Sequence, residues 1–92
     1  YPFHPPGRPE RLRVDHFQAL HCPTLIIQGT RDPFGKPEED VETHLSEAMS
    51  LRWLDSGDHS LKARKKDPRS TEEQWTEAAR WAASFMQSSM VI

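Results

Sequence analysis

Residues 22–32 read CPTLIIQGTRD, an apolar run that ends abruptly in a polar turn. A continuous apolar run of this length predicts a β-strand over residues 23–28 that is covered on both faces. A second run, MSLRWLDSGDH at 49–59, predicts another strand over 49–54. Asp32 and His59 therefore each follow the end of a predicted strand, in the order acid, then histidine.

The segment between the two strands has the features of a helix. Pro37 and the acidic residues 38–40 are typical of a helix amino terminus, so we predict a helix over 37–48 that buries Val41 and Leu45. Strand, helix and strand in this order predict a parallel βαβ unit. Because the ligand crevice of an open α/β sheet lies beyond the carboxyl ends of its strands, we expect the acid and the histidine to meet there.

The two ends of the chain differ in character. Residues 1–15 are rich in proline and arginine and predict an extended loop, after which Asp15 starts a short helical turn with Phe17 and Leu20 facing inward. At the other end, residues 70–73 form a capping box, Ser-Thr-Glu-Glu, at the start of a helix. We expect that helix to pack its apolar side on the sheet through residues at helical spacing, namely Trp75, Ala78, Ala79, Ala82, Phe85 and Met86.

Three stretches carry a resemblance to a known family: QGTRD at 28–32, GDH at 57–59 and HPPGRPERLR at 4–13. From Tyr1 to about Met86, the chain resembles the carboxy-terminal part of an α/β-hydrolase. The opening stretch is similar to a subgroup of uncharacterised bacterial hydrolase-like proteins that are related to the hydrolase-like subunit of a nuclear acetyltransferase complex. The resemblance implies the α/β class, as the carboxy-terminal portion of an α/β-hydrolase fold with a parallel βαβ unit and a final packing helix.

The resemblance also implies roles for the two residues at the strand ends. The family's triad follows the chain order Ser, Asp or Glu, His, so Asp32 would be the catalytic acid and His59 the catalytic base. Simpler alternatives stay open, because Asp32 could cap the following turn and His59 could be a loop histidine bonded to backbone. We interpret Asp58 as a turn residue. Arg31 and Phe34 flank the acid and could line a substrate pocket, although Arg31 could equally be a solvated charge.

The family's nucleophile motif, Gly-x-Ser-x-Gly, does not occur in the sequence. We therefore expect residues 1–92 to be a fragment: one partial α/β-hydrolase domain that carries the acid and histidine half and lacks the nucleophile half. Two functions remain open. The first is a partial serine hydrolase for ester or acyl hydrolysis, inactive as the 92-residue chain alone. The second is a catalytically silent hydrolase-like module for protein association.

The composition limits the classes of partner that this chain is expected to bind. A net charge of −2 gives no electrostatic case for nucleic acid, and no run approaches the roughly 20 apolar residues that a membrane span needs. The basic residues at 62–66, with Arg69, are interpreted as a solvated connection. A sheet of two strands is at best marginal by itself, so we expect self-association or pairing with a missing amino-terminal half. If the site is complete, the substrate is a small acyl or ester compound.

Neither cofactor nor metal is expected. The glycines around Asp32 lack the Gly-Lys-Ser/Thr ending of a phosphate loop. His16, His21 and Cys22 lie close in sequence, but their spacing matches no recurrent zinc pattern. A single cysteine excludes an internal disulfide and favours a cytoplasmic location.

Overall fold

A computed structural model describes residues 1–17 and 22–90, with side chains up to Ser88. Its elements are β1 (Thr24–Gly29), two 3₁₀ turns (Pro37–Glu39 and Val41–His44), β2 (Met49–Leu54) and α1 (Thr71–Met90). The two strands pair in parallel, with Thr24 opposite Met49 and Gly29 opposite Leu54. The prediction of two parallel strands is confirmed, and β1 starts and ends one residue later than expected.

The hydrophobic core lies on one face of the sheet and is built largely by the amino-terminal segment. Phe3 and Phe17 are almost completely buried, and their rings meet edge to face with centroids 6.1 Å apart. Both belong to one cluster with Ile26 of β1 and Met49 of β2. Residues 1–15 form no helix or strand, as predicted for an extended loop. Tyr1, Phe3, Leu12 and Val14 pack in or against the core, whereas residues 6–11 are exposed.

A tight turn closes the described part of the amino-terminal segment. The Phe17 N–H donates to the Val14 carbonyl at 2.9 Å, and the Phe17 ring points into the core. This agrees with the predicted turn after Asp15. Leu20, the other residue expected to face inward there, lies outside the described residues.

Helix α1 covers the opposite face of the sheet. Side chains alternate along a strand, so Arg52 of β2 faces away from the core that contains Met49. The Arg52 guanidinium lies 4.4 Å from the centroid of the Trp81 ring of α1, a cation–π contact. Leu25 and Ile27, which face the α1 side of β1, are only partly buried, so the predicted cover of β1 on both faces is incomplete within the described residues.

The prediction of one helix over 37–48 is wrong. Asp40 has a φ of 54°, a left-handed conformation that ends the first 3₁₀ turn and starts the second. Asp40, Val41, Thr43 and His44 are weak helix formers. The tertiary contacts of Glu39 and Val41 therefore decide the path of the backbone here. Glu39 is held by His4, and Val41 is fully buried in the core. Leu45, by contrast, is only partly buried against that core.

The capping box of α1 forms, but the buried side of the helix matches the predicted one only in part. The Glu73 N–H donates to Ser70 Oγ at 3.1 Å, and the Ser70 N–H donates to Glu73 Oε1 at 3.2 Å. Ala78, Ala82 and Phe85 are partly buried, as predicted. Trp75 and Met86 are 48% and 60% exposed, whereas Gln74, which was not predicted to face inward, is buried. Two neighbouring stripes on this helix both contain apolar residues, so helical spacing alone could not identify the buried one.

None of the helices in the described ranges has the length and apolar character to cross a membrane. Helix α1 is 20 residues long, but charged side chains occur along its first three turns.

Candidate active site

Asp32 and His59 meet at the carboxyl edge of the sheet. Asp32 lies three residues beyond the end of β1, in a turn closed by its own N–H bonding to the Gly29 carbonyl at 3.1 Å. His59 follows β2, and its Nδ1 lies 2.8 Å from Asp32 Oδ2. The structure therefore brings together the two residues that the sequence singled out.

The acid is buried and the histidine is not. The Asp32 side chain is 2% exposed, against 47% for the His59 side chain. Asp32 Oδ1 accepts the Phe34 N–H at 2.8 Å, so the carboxylate both caps its own turn and binds His59. The simpler capping role of Asp32 is thus present as well. An ionised carboxylate only accepts hydrogen bonds, so this contact places the proton of a neutral His59 on Nδ1 and leaves a lone pair on Nε2.

Phe34 contacts the ring of His59. The two ring centroids are 4.5 Å apart, with planes inclined by 40°. This contact restricts rotation of the imidazole while Asp32 holds Nδ1. Whether Phe34 also lines a substrate pocket remains a prediction.

The segments that follow β1 and β2 approach each other closely, and this approach requires glycine at position 29. A Cβ added to Gly29 would lie 2.1 Å from the carbonyl oxygen of Gly57, which is a backbone atom that cannot turn aside. Backbone hydrogen bonds join the loops at the same place: the Thr30 N–H donates to Leu54 O at 3.1 Å, and the Arg31 N–H donates to Gly57 O at 2.9 Å. These backbone contacts therefore set how closely the segment after β1 and the segment after β2 approach each other.

Residues 56–62 form a compact turn that we call the His59 loop. Asp58 Oδ1 accepts the N–H groups of Ser60 at 2.8 Å and Lys62 at 2.9 Å, which agrees with its interpretation as a turn residue. Ser56 and Leu61 have φ values of 63° and 62°, which lie in the left-handed region that residues other than glycine rarely adopt.

The Arg31 side chain binds the His59 loop, so it is more than a solvated charge, and its lining of a substrate pocket stays a prediction. Its Nε donates to Ser56 O at 2.7 Å and its Nη2 donates to Lys62 O at 3.1 Å. Trp75 also bonds this loop, through Nε1 and the Ser60 carbonyl at 3.0 Å. Sequence reasoning missed both contacts. The position of Arg31 directly before the acid was a signal, but nothing in the sequence indicated which carbonyls it binds.

A partly buried pair, His4 and Glu39, lies beside the turn that contains Asp32 and Phe34. His4 is 1% exposed, with Nε2 at 2.7 Å from Glu39 Oε1 and Nδ1 at 2.7 Å from Pro5 O. The backbone N–H of His4 donates to the Phe34 carbonyl at 3.0 Å. Both ring nitrogens face acceptors, so the doubly protonated ring satisfies both contacts.

The pKa values of this pair move in opposite directions. Burial by itself lowers the pKa of His4, but the hydrogen bonds to Glu39 and Pro5 and the nearby negative charge outweigh it and raise that pKa. Burial likewise raises the pKa of Glu39, but hydrogen bonds from His4 and from the Lys36 N–H outweigh it and lower that pKa. Both shifts favour the charged pair.

The sequence also suggested two other clusters to examine: a possible metal site and the basic connection at 62–66 with Arg69. No group of three or more His, Cys, Asp or Glu side chains could hold a metal within residues 1–17 and 22–88, and His21 lies outside that part. In the basic connection, Arg64 Nη2 pairs with Asp67 Oδ1 at 2.9 Å, and Arg69 Nη2 donates to the Glu73 carbonyl at 3.2 Å. Hydrogen bonding by Arg64 also lowers the pKa of Asp67. Two of the cations in this connection, Arg64 and Arg69, therefore already have partners within the chain.

The comparisons with known proteins give one match. A family model described as an alpha/beta hydrolase domain matches residues 1–87. No curated protein matches the chain. No solved structure matches it either.

Proposed function

Since this chain belongs to the α/β-hydrolase domain family, we propose that it carries the acid and histidine half of a serine hydrolase acting on esters, thioesters or similar acyl compounds. Asp32 is the orienting acid and His59 the general base in this proposal. The observation that carries it is the 2.8 Å hydrogen bond between His59 Nδ1 and the buried Asp32 carboxylate. Residues 1–92 then act as one partial domain.

The proposed mechanism uses the free nitrogen of His59. Nε2 takes the proton from the hydroxyl of a serine, whose oxygen attacks the acyl carbonyl, and later returns that proton to the leaving group. Asp32 keeps the proton of the resting ring on Nδ1 and stabilises the imidazolium that forms. The serine and the oxyanion donors come from a segment outside these 92 residues. General-base catalysis of this kind contributes roughly 10²–10⁴-fold to the rate.

The subgroup and the location belong to the same proposal. The opening stretch at 4–13 supports the subgroup of bacterial hydrolase-like proteins related to the acetyltransferase-complex subunit. Its His4 is buried and bonded to Glu39, which gives that histidine a structural reason to be present. Cys22 is a free, exposed thiol, which suits the reducing cytoplasm.

A second candidate function, a catalytically silent association module, is favoured by a different observation. Trp75 and Met86 are large apolar side chains that α1 leaves about half exposed. In the described residues the sheet has two strands, so each strand has one edge without a β-strand partner there. Exposed strand edges and apolar side chains are suited to binding another polypeptide.

Active-site labelling separates the two candidates. The longest polypeptide in which this chain occurs is treated with a fluorophosphonate probe, and its intact mass is measured. We expect one adduct, which the His59→Ala variant loses and the His44→Ala control retains. No adduct on a folded polypeptide would overturn the hydrolase and favour the association module. The 92-residue chain alone is expected to form no adduct, because it lacks the nucleophile motif.

A further inference from the structure

The Arg31 side chain connects the acid to both ends of the His59 loop. Its guanidinium donates through Nε to Ser56 O at 2.7 Å, where the loop starts, and through Nη2 to Lys62 O at 3.1 Å, where it ends. Arg31 is covalently bonded to Asp32, the residue that His59 must reach. One side chain therefore spans the loop from the position next to the proposed acid.

The conformation of the loop indicates that it needs such a constraint. Ser56 and Leu61 both lie in the left-handed region. Non-glycine residues remain there only where surrounding contacts enforce the conformation. Arg31 binds the carbonyl of Ser56 itself and that of Lys62, which directly follows Leu61.

The remaining contacts of the loop do not replace this one. Asp58 bonds to Ser60 and Lys62 of the same loop, so these bonds shape the turn without attaching it to the acid. Thr30 Oγ1 accepts the Ser56 N–H at 2.7 Å, and the backbone N–H of Arg31 donates to Gly57 O at 2.9 Å. These two bonds attach the first end of the loop without the Arg31 side chain. Among the contacts that attach the loop to the acid segment, Arg31 reaches the second end, at Lys62.

We propose that Arg31 is a positioning residue that holds the His59 loop in the conformation in which Nδ1 bonds to Asp32. Its part in catalysis rests on the proposed function, whereas its effect on the geometry of the loop does not. The planar guanidinium offers two donors in a rigid arrangement, which a lysine ammonium on a flexible stem does not reproduce.

The tautomer of His59 tests the proposal without an activity assay. Long-range ¹H–¹⁵N spectra of the ¹⁵N-histidine-labelled chain are recorded at a pH where the free imidazole is neutral. We expect the wild-type ring to carry its proton on Nδ1, because Asp32 accepts it there. Asp32→Ala identifies the signal by removing that acceptor. In Arg31→Met, we expect a shift of at least threefold in the tautomer ratio toward Nε2–H, with amide shifts confined to the His59 loop.

Control variants make the result decisive. Arg80→Met removes an exposed arginine of α1 and should leave the tautomer unchanged. Arg31→Lys should give an intermediate ratio, and it decides the question if Arg31→Met does not fold. A wild-type ratio in a folded Arg31→Met or Arg31→Lys variant would overturn the proposal, as would a wild-type ring protonated on Nε2. If the tautomer responds as expected but the fluorophosphonate labels nothing, the hydrolase fails and the positioning role remains.

Discussion

Gly29 is the residue on which the approach of the two loops depends. We predict that Gly29→Ala destabilises the fold by about 1–3 kcal/mol, as is typical when atoms are forced into a filled space. The new Cβ would lie within 2.5 Å of the backbone oxygens of Gly57 and Asp58, so the loops must separate. Denaturant unfolding measures the loss, and the His59 signals report the separation.

Gly57→Ala provides the matched comparison for that prediction. Its added Cβ would lie 3.3 Å from the nearest atom, Leu54 O, a contact that a small shift relieves. We expect a smaller loss of stability than for Gly29→Ala. Equal losses in the two variants would contradict the importance of the contact between Gly29 and Gly57.

His4 and Glu39 make the stability of the fold depend on pH. The pKa of Glu39 is lowered by folding, so its contribution is complete above its ordinary value of 4.5 and is lost as the pH falls through the folded value. The pKa of His4 is raised, so its contribution is complete below 6.5 and is lost as the pH rises through the folded value. The ion pair therefore stabilises the fold most between pH 4.5 and 6.5.

Glu39→Gln tests this pH dependence. Within that range we predict a loss of about 1.5–3 kcal/mol in the free energy of unfolding, the usual contribution of a hydrogen bond to a charged group. The difference from wild type should shrink on either side. Unfolding in urea at a series of pH values measures it, with the exposed neighbour Glu38→Gln as the control. A loss that does not vary with pH would show that the pair is not charged.

At the scale of the element, α1 depends on its amino-terminal cap. We predict that Ser70→Ala costs about 1 kcal/mol, because it leaves the Glu73 N–H without the side-chain acceptor at 3.1 Å. Ser84→Ala, at an exposed position within the same helix, should be neutral or slightly stabilising because alanine is the better helix former. Thermal unfolding followed by circular dichroism compares the two. Equal effects would mean that the cap does not contribute.

Elements differ in how far local sequence determines them. β1, β2 and the start of α1 were predictable, because an apolar run and a capping box act over a few neighbouring residues. The helix predicted over 37–48 failed, since Val41 is held in the core and Glu39 by His4, which lies 35 positions earlier. The inner face of α1 was predicted only in part, because it depends on what lies beneath Gln74 and Trp81 and not on spacing alone.

For the whole molecule, we predict that the 92-residue chain self-associates. A sheet of two strands is marginal in water, and Trp75 and Met86 leave apolar surface uncovered on α1. Light scattering over a concentration series should give a mass above the monomer that rises with concentration. A monodisperse monomer with cooperative unfolding would contradict this prediction.

The sequence by itself determined the α/β class, the two parallel strands and the order of acid and histidine, because each depends on local patterns and on the common direction of parallel strands. The tertiary structure was needed to bring Asp32 Oδ2 within 2.8 Å of His59 Nδ1 and to aim Arg31 at the carbonyls of the His59 loop. It also placed Phe3 against the sheet and His4 against Phe34, in the turn that contains Asp32. The hydrogen bonds among these contacts join residues 25 to 31 positions apart, where the geometry of the folded chain selects the partners.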